Sequence, residues 1–170
     1  NTAGITQILK AVANEQPDVT IALLHWGSEY NDLISSTQTT IRDLMFDNGV
    51  DAILGSHPHY VQQVEFNEDP GKLVCYSLGD FFSAGDRAGT EYSVLLDLEI
   101  TRDNATGETK ITSYTATPIA TVGSGADHRV VRLETAMTAY ELGALNAVTE
   151  TEYAALQNGL DRATARLKGE

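Results

Sequence analysis

The chain has 170 residues, 42% hydrophobic and 21% charged, which is typical of a globular protein and excludes a disordered one. Its formal net charge of −13 excludes a general nucleic-acid binder, because such a protein needs a basic face. Its one cysteine, Cys75, excludes an internal disulfide framework, and no stretch approaches the roughly 18 apolar residues of a transmembrane helix.

The first third of the chain predicts a helix, a strand, a helix and a second strand, in that order. Apolar residues at helical spacing precede Pro17, where the first helix ends. Asp18–Leu24 is a nearly continuous apolar run, which is typical of a strand covered on both faces. Thr37–Asn48 predicts a helix that stops at Gly49, and Asp51–Leu54 predicts the next strand. This order indicates parallel strands joined by a right-handed crossover.

The remainder predicts antiparallel strands followed by helices. The strand-like runs are Tyr60–Phe66, Lys72–Leu78, Thr90–Thr101 and Lys110–Thr121, and the pattern is helical from Leu133 onward. The last helix carries an apolar stripe of Tyr153, Leu156, Leu160, Ala163 and Leu167. We expect this stripe to pack on the same domain, although a partner helix is an alternative. A hinge-like loop at Gly123–Gly125 separates residues 1–125 from a helical segment, residues 126–170.

Three histidines follow the two predicted parallel strands. His25 comes after the first strand, and His57 and His59 come after the second, so all three lie at one edge of the sheet. A bend at Pro58 would let both imidazoles of the His-x-His pair converge on one ion. The pattern therefore predicts a metal site formed by these three residues. The alternative is that the histidines only order their loops, with His25 satisfied beside Trp26.

Two carboxylates, Glu29 and Asp80, are predicted to lie nearest this edge. Each is a candidate ligand, a partner that orients an imidazole, or a general base. The alternatives are a solvated loop glutamate for Glu29 and a turn or cap residue for Asp80. Gly79 indicates a positive φ or a close backbone approach in the same loop. Cys75, within an apolar run, is interpreted as a core residue.

Three motifs, taken in order, resemble a known family. His25–Tyr30, Gly55–His59 and Tyr76–Phe81 are similar to motifs of the CapA family of bacterial capsule, or poly-γ-glutamate, synthesis proteins, which is related to the calcineurin-like metallophosphoesterases. The resemblance covers roughly residues 15–100. It departs from the family at Asp80, where members usually carry asparagine, so this chain gains a negative charge and loses an amide donor.

The resemblance implies an α/β fold, the C-terminal half of a four-layer α/β/β/α sandwich. It begins with a parallel βαβ unit, continues with antiparallel strands over residues 1–125 and ends with helices packed on it over residues 126–170. The implied centre holds a divalent metal ion (manganese, iron or zinc) on His25, His57 and His59. If the intact protein is hydrolytic, Glu29 or Asp80 would assist a metal-activated water. The family's other metal ligands lie in an N-terminal half that this chain does not contain.

The resemblance also implies a role in making or exporting poly-γ-glutamate at the cell surface, behind a membrane anchor in the N-terminal part. The implied partners are that N-terminal half and the polyglutamate machinery. We expect self-association through an exposed sheet edge, and no phosphoesterase activity from this chain alone. The alternatives are a non-catalytic scaffold or polymer-binding module, and a metal-dependent phosphoesterase unrelated to the capsule.

Overall fold

A computed structural model describes residues 2–83, 87–123, 125–144 and 149–170. The helices within these ranges are α1 (Thr2–Asn14), α2 (Ser36–Asp47), α3 (Leu133–Glu141) and α4 (Glu150–Lys168). The strands are β1 (Ile21–His25), β2 (Ala52–Ser56), β3 (Val64–Asn67), β4 (Lys72–Cys75), β5 (Tyr92–Arg102), β6 (Thr109–Val122) and β7 (Arg129–Arg132). None of the described helices is long and apolar enough to cross a membrane.

The first sheet has the strand order β1-β2-β4-β3, with β1, β2 and β4 parallel and β3 antiparallel to β4. Helix α2 makes the crossover between β1 and β2. It begins at a capping box, in which the Ser35 side chain accepts from the Gln38 backbone N–H and the Gln38 side chain accepts from the Ser35 backbone. Because His25 pairs in register with Ser56, the loops after β1 and β2 leave the same edge of the sheet. The predicted parallel start is confirmed.

The second sheet is antiparallel, with the order β5-β6-β7, and α3 and α4 pack against it. The predicted sequence of antiparallel strands followed by helices is therefore confirmed. Strand β7 was not predicted, because only its two central valines are apolar and its structure depends on pairing with β6. Ser124, in the middle of the proposed hinge, lies outside the described residues.

Three apolar clusters form the core. Helices α1 and α2 cover one face of the first sheet, the two sheets pack on each other, and α3 and α4 cover part of the second sheet. Cys75 is fully buried between the sheets, as predicted. Four residues of the predicted α4 stripe belong to the cluster between the C-terminal helices and the second sheet: Leu156, Leu160, Ala163 and Leu167. The stripe thus packs on its own chain.

Strand β1 differs from its prediction. It is half open rather than covered on both faces, with Ile21 44% and Leu23 77% exposed. The reason is its position at the edge of the sheet: Leu23 points to the same side as its register partner Leu54, but the second sheet packs on Leu54 and not on Leu23.

The predicted strands around residues 60–78 are also shorter than expected. Strand β3 begins only at Val64, and β4 ends at Cys75. Beyond these ends a single bridge joins Val61 and Leu78. Backbone hydrogen bonds from Tyr76 to Gln63 and from Gln62 to Ser77 continue past the end of β4, while the Tyr76 carbonyl oxygen accepts from the Trp26 indole.

Candidate metal centre

The loops that follow β1 and β2 are joined to each other. The backbone N–H of Trp26 donates to the Ser56 carbonyl, and that of Tyr30 donates to the Pro58 carbonyl. His25, the last residue of β1, places its ring centroid 4.3 Å from that of His57. Two of the three predicted ligands are therefore in contact at the carboxyl edge of the parallel strands.

His59 lies with the two predicted carboxylates. Its Nδ1 is 2.9 and 3.0 Å from the two carboxylate oxygens of Asp80, and its Nε2 is 3.5 Å from Oε1 of Glu29. The Tyr30 ring stacks on the His59 ring, with centroids 4.8 Å apart. We call the five predicted site residues, His25, Glu29, His57, His59 and Asp80, the histidine rim.

The histidine rim divides into an imidazole pair and a cluster around His59. Over the residues that the structure describes, no three His, Cys, Asp or Glu side chains are placed together as ligands of one metal ion. The sequence left open which imidazole each carboxylate would contact. The structure places Asp80 and Glu29 on His59, whereas His57 lies against His25.

The backbone of the rim is strained. Tyr30, His57 and His59 have φ values of 55°, 100° and 62°, in a region that residues with side chains rarely adopt. Each such conformation costs on the order of 1–3 kcal/mol and persists only where the surroundings enforce it. Gly79, beside Asp80, has φ 76°, and a Cβ there would lie 3.0 Å from Cβ of Ser93, as its sequence context indicated. Strain of this kind clusters at functional sites.

Trp26 connects the three motifs of the sequence. Its indole N–H donates to the Tyr76 carbonyl at 2.8 Å, and its ring stacks on the Tyr76 ring. Gly55 lies against both residues, since a Cβ there would come within 1.9 Å of the Tyr76 oxygen and 2.3 Å of the indole nitrogen. A side chain at position 55 would therefore separate the loop of His57 and His59 from its support.

A buried amide pair, which the sequence analysis did not single out, holds the loop after β1. The Gln38 side-chain amide donates to Oε1 of Gln62, and Nε2 of Gln62 donates to the carbonyls of Asn31 and Leu33. Both glutamines are essentially inaccessible to solvent. The capping box at Ser35 was the available signal for Gln38, but no local pattern indicated Gln62 as its partner.

Two ionisable groups beneath the rim stay neutral. Burial raises the pKa of the Cys75 thiol to about 12. Burial also raises the pKa of Tyr76 to about 12; the charge of Glu65 adds to this effect, and Arg42, whose guanidinium donates to the Tyr76 hydroxyl, opposes it. Neither group is ionised near neutral pH, so neither is a nucleophile for the rim.

Comparison with known proteins shows which protein family the sequence around this rim resembles. Residues 1–84 match the family of proteins described as bacterial capsule synthesis protein PGA_cap, a region that contains all five rim residues. This match, together with two curated relatives, confirms over this region the resemblance to the CapA family that the three motifs indicated.

Two curated relatives carry the CapA name. The PGA biosynthesis protein CapA of Bacillus subtilis (strain 168) is 31% identical over 109 residues, which cover 62% of this chain and 28% of the relative. The capsule biosynthesis protein CapA of Bacillus anthracis is 34% identical over 89 residues, which cover 52% of this chain and 21% of the relative. The chain thus spans less than a third of the length of the curated relatives it matches.

Proposed function

We propose that the histidine rim binds a divalent metal ion and that the chain acts in capsule, or poly-γ-glutamate, synthesis at the cell surface. The capsule assignment is supported by the names of the two relatives. The metal proposal rests on one observation, the contact of His25 with His57 where adjacent parallel strands end. In open α/β sheets, sites form at this edge.

The chemistry of the donor set fits a divalent cation. Imidazole nitrogens and carboxylate oxygens suit manganese, iron or zinc. The His59 tautomer that donates from Nδ1 to Asp80 leaves Nε2 with a free lone pair, and carboxylates commonly orient metal-binding histidines in this way. In this proposal Asp80 orients His59, and Glu29, near Nε2, is a further ligand or the general base. When bound, such an ion supplies a Lewis acid that activates water for attack on a phosphoryl group.

The rim does not provide a complete phosphoesterase centre by itself. A two-metal site needs more ligands than two or three histidines and one carboxylate, and the described part of the chain brings no third ligand to the His25–His57 pair. We propose that the remaining ligands come from another part of a longer polypeptide, which would also carry the membrane anchor. We therefore expect the 170-residue chain alone to leave phosphodiesters uncleaved.

A second candidate function is a scaffold in which the histidines only order their loops. It is favoured by His59, whose ring already contacts Asp80, Glu29 and Tyr30. Direct binding of polyglutamate fits less well, because a net charge of −13 repels a polyanion unless cations bridge the two.

Metal content separates the two candidates. The wild-type chain, His57→Ala and His59→Ala are equilibrated with Mn²⁺ or Zn²⁺, freed of unbound ions, and analysed by mass spectrometry for metal per chain. His128→Ala is the matched control, because His128 is outside the proposed ligand set and its ring packs on Phe82. Because this chain supplies only part of the proposed ligand set, we expect substoichiometric metal in the wild type and the control, and less metal in both rim variants. Unchanged metal content in both rim variants would favour the scaffold.

A further inference from the structure

A cation is stacked on the rim. The guanidinium carbon of Arg87 lies 3.9 Å from the centroid of the Tyr30 ring, and that ring lies in turn on His59. The Tyr30 backbone is hydrogen-bonded to Pro58, and the carbonyl of Arg87 accepts from both the backbone and the hydroxyl of Thr90. The stack of arginine, tyrosine and histidine is therefore held at both ends by backbone contacts.

The guanidinium of Arg87 has no carboxylate partner among the described residues. Three other arginines do form ion pairs: Arg42 with Glu65, Arg102 with Asp18 and Arg166 with Asp32, each at 2.9 Å. Arg87 is exposed, and its guanidinium packs on the Tyr30 ring. Because tyrosine occupies one face of the guanidinium plane, the N–H donors at its edge are free for a ligand.

We propose that Arg87 binds an oxyanion, the phosphate or carboxylate group of a ligand that enters the histidine rim. The inference rests on the proposed function in taking the rim as a binding site. The planar guanidinium fork pairs with two oxygens of a phosphate or carboxylate at once. Stacking on Tyr30 fixes that plane beforehand, which reduces the entropy lost when the anion binds.

The carboxylates of the histidine rim make a nearby cation necessary for binding an anion there. Glu29 and Asp80, which contact His59, repel an anion that approaches this histidine. The positive charge of Arg87, which is stacked on Tyr30, offsets part of that repulsion. If Arg87 had only a structural role, it would support Tyr30 through the contact with its ring. Replacement of Arg87 would then leave the affinity for anions unchanged.

The test measures anion affinity of the 170-residue chain, without metal and then with Mn²⁺ or Zn²⁺. Inorganic phosphate and glutarate are titrated separately at constant ionic strength, and binding is followed by NMR at the Arg87 side chain and the Tyr30 amide. The variants are Arg87→Gln, which removes the charge, and Arg87→Lys, which keeps it without the fork. Arg102→Gln is the control. Circular dichroism verifies that each variant is folded.

We expect saturable binding in the wild type and a Kd raised about ten- to a hundredfold in Arg87→Gln. Arg87→Lys should lie in between, and Arg102→Gln should match the wild type. A preference for phosphate or for glutarate identifies the source of the anion, and either preference supports the inference. Equal Kd values in wild type and Arg87→Gln, or no saturable binding of either anion to the wild type, would overturn it. Metal content, measured on the same samples, tests the proposed function separately, because Arg87→Gln should retain the metal that His57→Ala loses.

Discussion

Strands β1 and β2 lie side by side in parallel register, yet one is open and the other enclosed. The pairing runs from Ile21 opposite Ala52 to His25 opposite Ser56. Strand β2 has a neighbour on each side and Ile53 is fully buried, whereas β1 has one neighbour and Leu23 is 77% exposed. Both strands are short and mostly apolar. The second sheet packs on Leu54 of β2 but not on its register partner Leu23 of β1, so the burial of this face is decided by the position of each strand under that sheet and not by its composition.

The same difference extends to the two loops of the histidine rim. The loop after β2 is supported from β4, because Gly55 lies against the carbonyl of Tyr76 and the Trp26 indole. The loop after β1 has no further strand beside it and depends on side chains, chiefly on Gln62, which binds the carbonyls of Asn31 and Leu33. One side of the rim is thus fixed by the sheet, and the other by a buried hydrogen-bond network.

Truncation of an enclosed side chain of β2 and of an open side chain of β1 tests this contrast most strongly. Ile53→Ala should lower the free energy of unfolding by about 2–5 kcal/mol, because it leaves a cavity in the core. Leu23→Ala should change it by no more than about 0.5 kcal/mol, because that side chain is mostly in water. Urea unfolding of the two variants measures both values. A loss in Leu23→Ala as large as that in Ile53→Ala would show that β1 is covered in solution, as by self-association.

The loop after β1 is tested by removing its amide support. Gln62→Met keeps the approximate volume but leaves the carbonyls of Asn31 and Leu33 without their donor. We expect a loss of about 1–3 kcal/mol in urea unfolding, the cost of unsatisfied buried polar groups. Hydrogen exchange should accelerate across residues 27–34 more than in β2. Gln7→Met, on the exposed side of α1, is the control and should leave both measurements unchanged. Uniform acceleration across both strands would contradict a local role for Gln62.

Much of the fold could be predicted because its signals are local. The apolar runs, helical spacing and turn residues indicated β1, α2 and β2 in their correct order. The half-open state of β1 could not be predicted, since its apolar residues resemble those of an enclosed strand and only the strand order places it at the edge. Strand β7 was missed for a related reason, because Arg129–Arg132 has little pattern of its own and depends on β6.

The residues of the rim could also be predicted, but their pairings could not. Parallel strands that end in histidines imply that His25 and His57 come together, and they do. The stacking of Tyr30 between His59 and Arg87 depends on positive φ angles at Tyr30 and His59, and on a loop that is distant in sequence. Side-chain direction at such positions follows from contacts across the fold, which residue spacing alone does not indicate.

Strand β4, the other neighbour of β2, contains a thiol whose ionisation is expected to change the stability with pH. Cys75 of β4 pairs with Leu54 of β2 and is buried, and its pKa rises from 9.0 to about 12. As the pH rises above 9, the thiol of the unfolded chain loses its proton first, which favours unfolding. The contribution of the neutral thiol is therefore complete below pH 9 and is lost as the pH approaches 12.

Comparison with Cys75→Ala isolates this contribution. Each protein is unfolded in urea near pH 7.5 and again near pH 10, and only the change between the two conditions is compared. The wild type should lose about 1 kcal/mol more than Cys75→Ala over that interval. Tyr76, with its own pKa raised to about 12, adds a loss of the same sign to both proteins and so cancels from the comparison. An equal loss in the two proteins would mean that water reaches Cys75, and that the side of β2 facing β4 is less enclosed than its contacts indicate.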